Sequence, residues 1–369
     1  MRYGFLAFAL VLGIAISAAT QHSKAASPRP AAQTPPGTPG EGEGGPLLNK
    51  IFERTRTARY SADYTAIIDQ CQEALRIGVK DNDAIKYAEK LMAWAHNRRG
   101  ELLAAAGRPT EALSDFSSAL ALDETHWRAF HNRGVSHAKE GSLEDALNDF
   151  NKALELNKTF VSTWYNRAEV KYQKGDFEAA VKDYNEALKL SPRDGAILNA
   201  RGHAQYRIGH LREAQQDFAA AVELAPNNAS AWVNLGDFYL NQGDYAQATR
   251  DYRQAINVNP QFGRAYQSAA WLLATCPDVK YRDANLAIEC AKKAIELDGR
   301  KDFRYLDTLA AALANAGKFP DAVEVQKDAV KGITDNDSAP YEERLKMYMD
   351  KLPFREEVKK IASEGVERR

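Results

Sequence analysis

The chain has 369 residues, 27% of them charged, and a formal net charge of −1. That balance excludes a strongly basic nucleic-acid surface and a polyanionic tail, but leaves room for a local charged patch. Three cysteines, Cys71, Cys276 and Cys290, are too few and too scattered for a disulfide framework or a CxxC metal site.

At the start, Arg2 precedes a run of apolar and small residues, and Ser17-Ala18-Ala19 and Ser23-Lys24-Ala25 both offer a small-x-small cleavage pattern. Residues 1–25 are therefore expected to be an export signal, cleaved after Ala19 or Ala25. The rival is an uncleaved anchor, although the apolar run is shorter than the ~20 residues a spanning helix needs. The expected location is periplasmic or secreted, with membrane contact only through this N-terminal segment. Residues 26–47 are rich in proline and glycine, cannot bury a core, and read as a disordered tether.

From Ala93 the chain repeats every 34 residues, as 93–126, 127–160, 161–194, 195–228 and 229–262. Each unit has a bulky or apolar residue, a small residue, a glycine, then Ala, an aromatic and Ala. In 127–160 these are Phe130, Gly134, Gly141, Ala146, Phe150 and Ala153. Apolar residues at spacings of three and four predict two amphipathic helices per unit. Gly107, Gly141, Gly175, Gly209 and Gly243 fall where the first helix should end. Gly134 and Ala146 should mark the closest helix crossing.

Three more units are expected. Residues 48–82 fit poorly, with Tyr64, Cys71 and Ala74 marking a second helix. Residues 263–300 carry an insertion after Thr275, and their second helix resumes near Ala284 behind Asp283. Residues 303–336 fit with Leu306, Leu309, Ala310, Gly317, Ala322 and Ala329. Residues 337–354 read as a capping helix with Leu345, Tyr348, Met349 and Leu352 on one face. Residues 355–369 are charged and expected to fray. Cys276 before Pro277 either ends a helix or exposes a thiol at the inserted turn.

Trp232, Leu235, Gly236, Tyr239, Ala248, Tyr252 and Pro260 closely resemble the tetratricopeptide repeat pattern, in which each hairpin stacks on the next. The segment from LLATCPD to DTLAAALANAGKF resembles the carboxyl end of exported bacterial proteins of this type. The resemblance implies an all-α, right-handed α-solenoid of about seven helical hairpins with a C-terminal capping helix. It also implies a concave groove lined by the first helices. Its groove positions select Arg98, Glu101, Arg128, Asn132, Lys139, Asn166, Glu169, Tyr172, His203, Tyr206, Arg207, Asn234, Asp237 and Asn241. An amide both donates and accepts, so Asn132, Asn166 and Asn234 would suit an extended peptide backbone. Tyr172 and Tyr206 would add flat apolar contact. The family's carboxylate-gripping variant needs a succession that only Asn234 and Arg264 approach, so that mode is not expected.

One departure is internal to the chain. The family pattern has Leu where four units have Arg99, Arg133, Arg167 and Arg201, and sixteen residues later those units have Asp115, Asp149, Asp183 and Asp217. In the last two units the same positions hold Ala269 with Cys290 and Leu309 with Val325. Charge comes and goes at both positions together, which predicts Arg–Asp pairs bridging the two helices of each hairpin. The 229–262 unit is the exception, with Leu235 opposite Asp251.

The seven histidines show no HExxH or other ligand spacing. The glycines at 40–45 resemble a phosphate loop only superficially. No nucleophile–base motif is visible. No enzyme activity, cofactor or metal is expected. The expected function is a protein–protein interaction scaffold or adaptor that holds a peptide or partner protein, and not nucleic acid, in the groove. The alternatives are a structural cell-envelope component tethered by its N-terminus, or a polysaccharide-associated accessory protein.

Overall fold

The computed structural model describes residues 45–77, 79–299, 302–333 and 338–357. The expected export signal, most of the tether and the last twelve residues lie outside the described residues. Among the described residues there is no strand. Helices pair into hairpins, and within each of two compact units hairpins stack on their neighbours, as in an all-α solenoid fold. The chain divides into two compact units, one ending at Pro192 and the other starting at Arg193.

The N-terminal unit contains α1 (Gly45–Thr55), α2 (Ser61–Ile77), α3 (Asn82–Ala105), α4 (Pro109–Leu122), α5 (Trp127–Lys139), α6 (Leu143–Leu156), α7 (Val161–Gln173) and α8 (Phe177–Leu190). Two expectations are corrected here. Residues 45–47 are helical rather than tether, because Leu48 and Ile51 recur three apart and are buried beside α2; proline near a helix start, as at Pro46, is tolerated. The second helix pair begins at Asn82, not Ala93. The Asp81 carboxylate accepts from the Ala84 amide at 2.8 Å and caps α3. No breaker follows, and Ala84, Ala88, Leu91, Met92 and Ala95 continue one buried face against Tyr64, Ile67, Ile68 and Cys71 of α2.

Close approach explains the small residues. A Cβ built on Gly134 would stand 2.9 Å from the Phe150 ring and 3.2 Å from the Ala146 carbonyl oxygen. Ala146, Phe150 and Ala153 are fully buried at that crossing. Gly141, which ends α5, has φ +81°, a left-handed conformation that a side chain would oppose.

The C-terminal unit contains α9 (Gly195–Arg207), α10 (Leu211–Leu224), α11 (Ala229–Asn241), α12 (Tyr245–Val258), α13 (Gly263–Thr275), α14 (Ala284–Asp298), α15 (Phe303–Asn315), α16 (Phe319–Lys331) and α17 (Ala339–Met349). The insertion forms a short 3-10 turn, Val279–Tyr281, and the Asp283 carboxylate caps α14 through the Leu286 amide at 3.0 Å. Cys276 ends α13 and is 1% exposed, so no thiol is presented at the turn.

The capping helix differs from expectation. Tyr348 is fully buried, but Met349 and Leu352 are 61% and 55% exposed. The helix stops at Met349, and Lys351, with φ +55°, turns the chain before Leu352 can join the apolar face. Arg344 takes the buried place instead. Its guanidinium donates to both Asp307 oxygens at 2.8 and 2.9 Å and lies within 4.6–5.6 Å of the Tyr341, Phe354 and Trp271 rings. Arg355 and Glu356, expected to fray, are docked on the end of α13.

The Arg–Asp ladder has four rungs. Arg99, Arg133, Arg167 and Arg201 each donate two hydrogen bonds, at 2.7–2.8 Å, to Asp115, Asp149, Asp183 and Asp217 respectively. The carboxylates are 4–7% exposed and the arginine side chains 16–25%. Asp251, facing Leu235, has one buried oxygen without a partner, and burial pushes its pKa up to about 6.

Candidate functional site

In each unit the first helices of successive pairs touch one another, α3 with α5 and α5 with α7, and α11 with α13 and α13 with α15. Their shared surface, the inner face of each unit, carries the residues that the sequence selects. They do not behave alike.

On the N-terminal unit, Asn132 is already engaged. Its amide nitrogen donates to Asn97 at 2.9 Å and to Glu101 at 3.0 Å, while Asn97 donates to Glu101 at 3.0 Å. Arg98 pairs with the same Glu101. Arg128 has a different environment: its guanidinium lies 4.5 Å from the Trp127 ring centre and 5.9 Å from that of Phe160. Burial lowers its pKa, with Arg98 nearby adding to the effect and Glu101 opposing it. Lys139, at the end of α5, is exposed.

On α7, Glu169 is buried, accepts from the Tyr184 hydroxyl, and has its pKa raised by burial. Tyr172 is half-buried and stacks edge-on against Phe177, ring centres 5.0 Å apart. Asn166 stands out by register. The bonds Asn132–Asn97 and Asn234–Asn199 both span 35 residues. Thirty-five residues before Asn166 is His131, whose Nδ1 is taken by the Thr163 hydroxyl at 2.9 Å. Burial drives the His131 pKa down to about 3, so the ring is neutral and its bond to Thr163 is undisturbed near neutral pH. Asn166 is 6% exposed, and among the described residues its side chain makes no bond equivalent to those of Asn132 and Asn234. It retains the capacity to donate and accept that its counterparts have used.

On the C-terminal unit the inner face is largely self-satisfied. Asn234 donates to Asn199 at 2.8 Å, and Arg264 donates to both Asn234 and Asp237 at 3.0 Å. Asp237 also accepts from the Tyr252 hydroxyl at 2.7 Å, and burial raises its pKa. The two residues nearest to the carboxylate-gripping succession are thus bonded to each other. His203 stacks on Phe218 at 4.9 Å and is neutral, its pKa lowered to about 3 by burial. Tyr206 lies edge-on to Phe238 at 6.1 Å; Arg207 and Asn241 are exposed at the helix ends. Sequence reasoning missed Asn97 and Asn199 as partners. The recurrence of Asn at an interval of 35 was the available signal.

Four models of tetratricopeptide repeats match the chain, at residues 93–114, at 136–175 and 168–209, at 196–228, and at 229–262. Residues 93–262 are built of tetratricopeptide repeats. Solved structures agree with its fold. It is similar to a tetratricopeptide repeat protein from Parabacteroides merdae at 18% identity, over 70% of this chain and 98% of that one, with a TM-score of 0.56. It is also similar to yeast Tom70 at 16% identity, over 84% of this chain and 65% of that one, with a TM-score of 0.51. At these identities the likeness concerns the fold alone. No curated protein matches the sequence. Among the described residues of this repeat protein, no three His, Cys, Asp or Glu side chains gather as a metal site would need, and no helix is long and apolar enough to cross a membrane.

Proposed function

We propose that this repeat protein is a protein–protein interaction scaffold that holds an extended peptide on the inner face of its N-terminal unit, and that residues 1–25 direct its export. The observation that carries the peptide reading is the amide of Asn166, which lacks the inter-repeat bond that occupies Asn132 and Asn234. A primary amide in that state pairs with one residue of an extended backbone by donating to its carbonyl and accepting from its N–H. Arg128 on the neighbouring first helix supplies a cation, and Tyr172 further along α7 a ring edge.

The test is selection of peptides from a random library on the immobilised protein, repeated on Asn166→Ala and Asn132→Ala. Peptides enriched on the parent should lose at least tenfold in affinity on Asn166→Ala, whose melting temperature should be unchanged. Asn132→Ala should lose stability first, because it leaves Asn97 and Glu101 short of a donor. Equal enrichment on the parent and on folded Asn166→Ala would refute the assignment.

A further inference from the structure

The first helices of most repeats end in a glycine of positive φ, from Gly107 to Gly243 and again at Gly317. Helix α13 has no such cap, because Cys276-Pro277 opens the insertion there. Its last carbonyls are satisfied from far away in the chain. The Glu356 amide donates to the Thr275 carbonyl at 2.9 Å, and the Arg355 guanidinium donates to the Ala274 carbonyl at 3.1 Å and to Asn315 of α15 at 2.8 Å. The Trp271 indole N–H donates to the Glu356 carboxylate at 3.0 Å, and the Phe354 ring lies 5.8 Å from that of Trp271. Residues 353–356 therefore form a strap held by side chains and helix-end carbonyls that α13 and α15 present.

The strap is weakly held compared with the helices around it. Each of residues 353–356 stays partly exposed, and the strap is entered through Lys351 at φ +55°, a left-handed turn that a residue with a Cβ adopts only at a cost. A short, partly exposed segment with no helical hydrogen bonds of its own opens locally before the helices unfold. When it does, an aromatic surface, a donor for a carboxylate and three acceptors for a guanidinium and an amide are uncovered together.

We propose that this face of α13 and α15 is a second peptide site, selective for an extended partner segment carrying an aromatic, a basic and an acidic residue in that order, and that the strap keeps it closed. The strap is its internal competitor. This site lies on the C-terminal unit and does not use Asn166, so either site can fail without the other.

The probe is a labelled peptide of sequence KLPFREE, residues 351–357, with a scrambled control. It should bind the full chain carrying Phe354→Ala and Arg355→Ala at least tenfold more tightly than the parent chain, and the scrambled peptide should bind neither. Failure of KLPFREE to bind a double variant with unchanged circular dichroism and melting would reduce the strap to a helix cap and overturn the proposal. Hydrogen exchange on the parent covers the case in which the variant does not fold. The Glu356 amide should exchange at least a hundredfold faster than buried amides of α13; exchange only with global unfolding would equally overturn the proposal.

Discussion

The substitution Asp251→Val makes the sharpest test of the ladder. Asp251 has lost its arginine to Leu235, and burial lifts its pKa from 3.8 to about 6. At about 1.4 kcal/mol per pKa unit, keeping this carboxylate ionised costs about 2 kcal/mol once solvent screening is discounted. Because the folded-state pKa is raised, the folded chain holds this proton more tightly than the unfolded chain. The associated stability is complete below pH 3.8 and is lost as pH rises through about 6. Valine removes the charge and reproduces the apolar pair found at Leu309 and Val325. Asp251→Val should thus gain about 2 kcal/mol at pH 7.5. The gain should shrink as pH falls from 7 towards 4.

The same change in a complete rung should have the opposite sign. Asp217→Val takes two hydrogen bonds and the opposite charge from Arg201, whose side chain is 23% exposed and can partly turn to water, so the loss should be about 2 kcal/mol rather than the larger cost of a fully buried pair. Urea unfolding of both variants and the parent between pH 4 and 8 measures this. The difference between each variant and the parent cancels the contribution of the neutral histidines. Two shifts of the same sign at pH 7.5, or an Asp251→Val gain independent of pH, would refute the reasoning.

Other outcomes follow from the same geometry. Gly236→Ala should cost about 1–3 kcal/mol by thermal melting, because its Cβ would stand 2.7 Å from the Tyr252 ring. Gly141→Ala meets open space and should cost only about 1–2 kcal/mol, from its φ of +81°. Arg344→Met should destabilise the C-terminal unit by about 3–5 kcal/mol and speed hydrogen exchange throughout α17, because Asp307 would keep only Gln326 as partner. His131 should oppose folding as the pH drops. Its folded-state pKa is lowered from 6.5 to about 3, so the stability it carries is present above pH 6.5 and declines below it. His131→Phe should flatten that part of the acid unfolding curve.

Much of the fold is legible in the sequence because each hairpin is a local object. Helices α5, α7, α9 and α11 begin at Trp127, Val161, Gly195 and Ala229, and the arginine–aspartate covariation within one chain was enough to foresee all four rungs. What escaped was non-local or depended on the absence of a signal. The early start of α3 is written in an apolar face whose partner, α2, fits the repeat poorly. Met349 and Leu352 share a helical face only if the helix reaches both, and the turn at Lys351 decides that it does not. On the candidate site, repeat position identifies which side chains face inward. It does not reveal that Asn132 and Asn234 are consumed by neighbours while Asn166 is not, because that depends on what stands 35 residues earlier.

The way α13 is finished has a consequence for synthesis. Most hairpins here can complete themselves as soon as their own residues leave the ribosome, since their turns close on nearby chain. The end of α13 cannot: its last two carbonyls wait for residues 355 and 356, some eighty positions downstream. Until then its final turn must rely on water, and a chain cut short before Arg355 would carry that frayed end permanently.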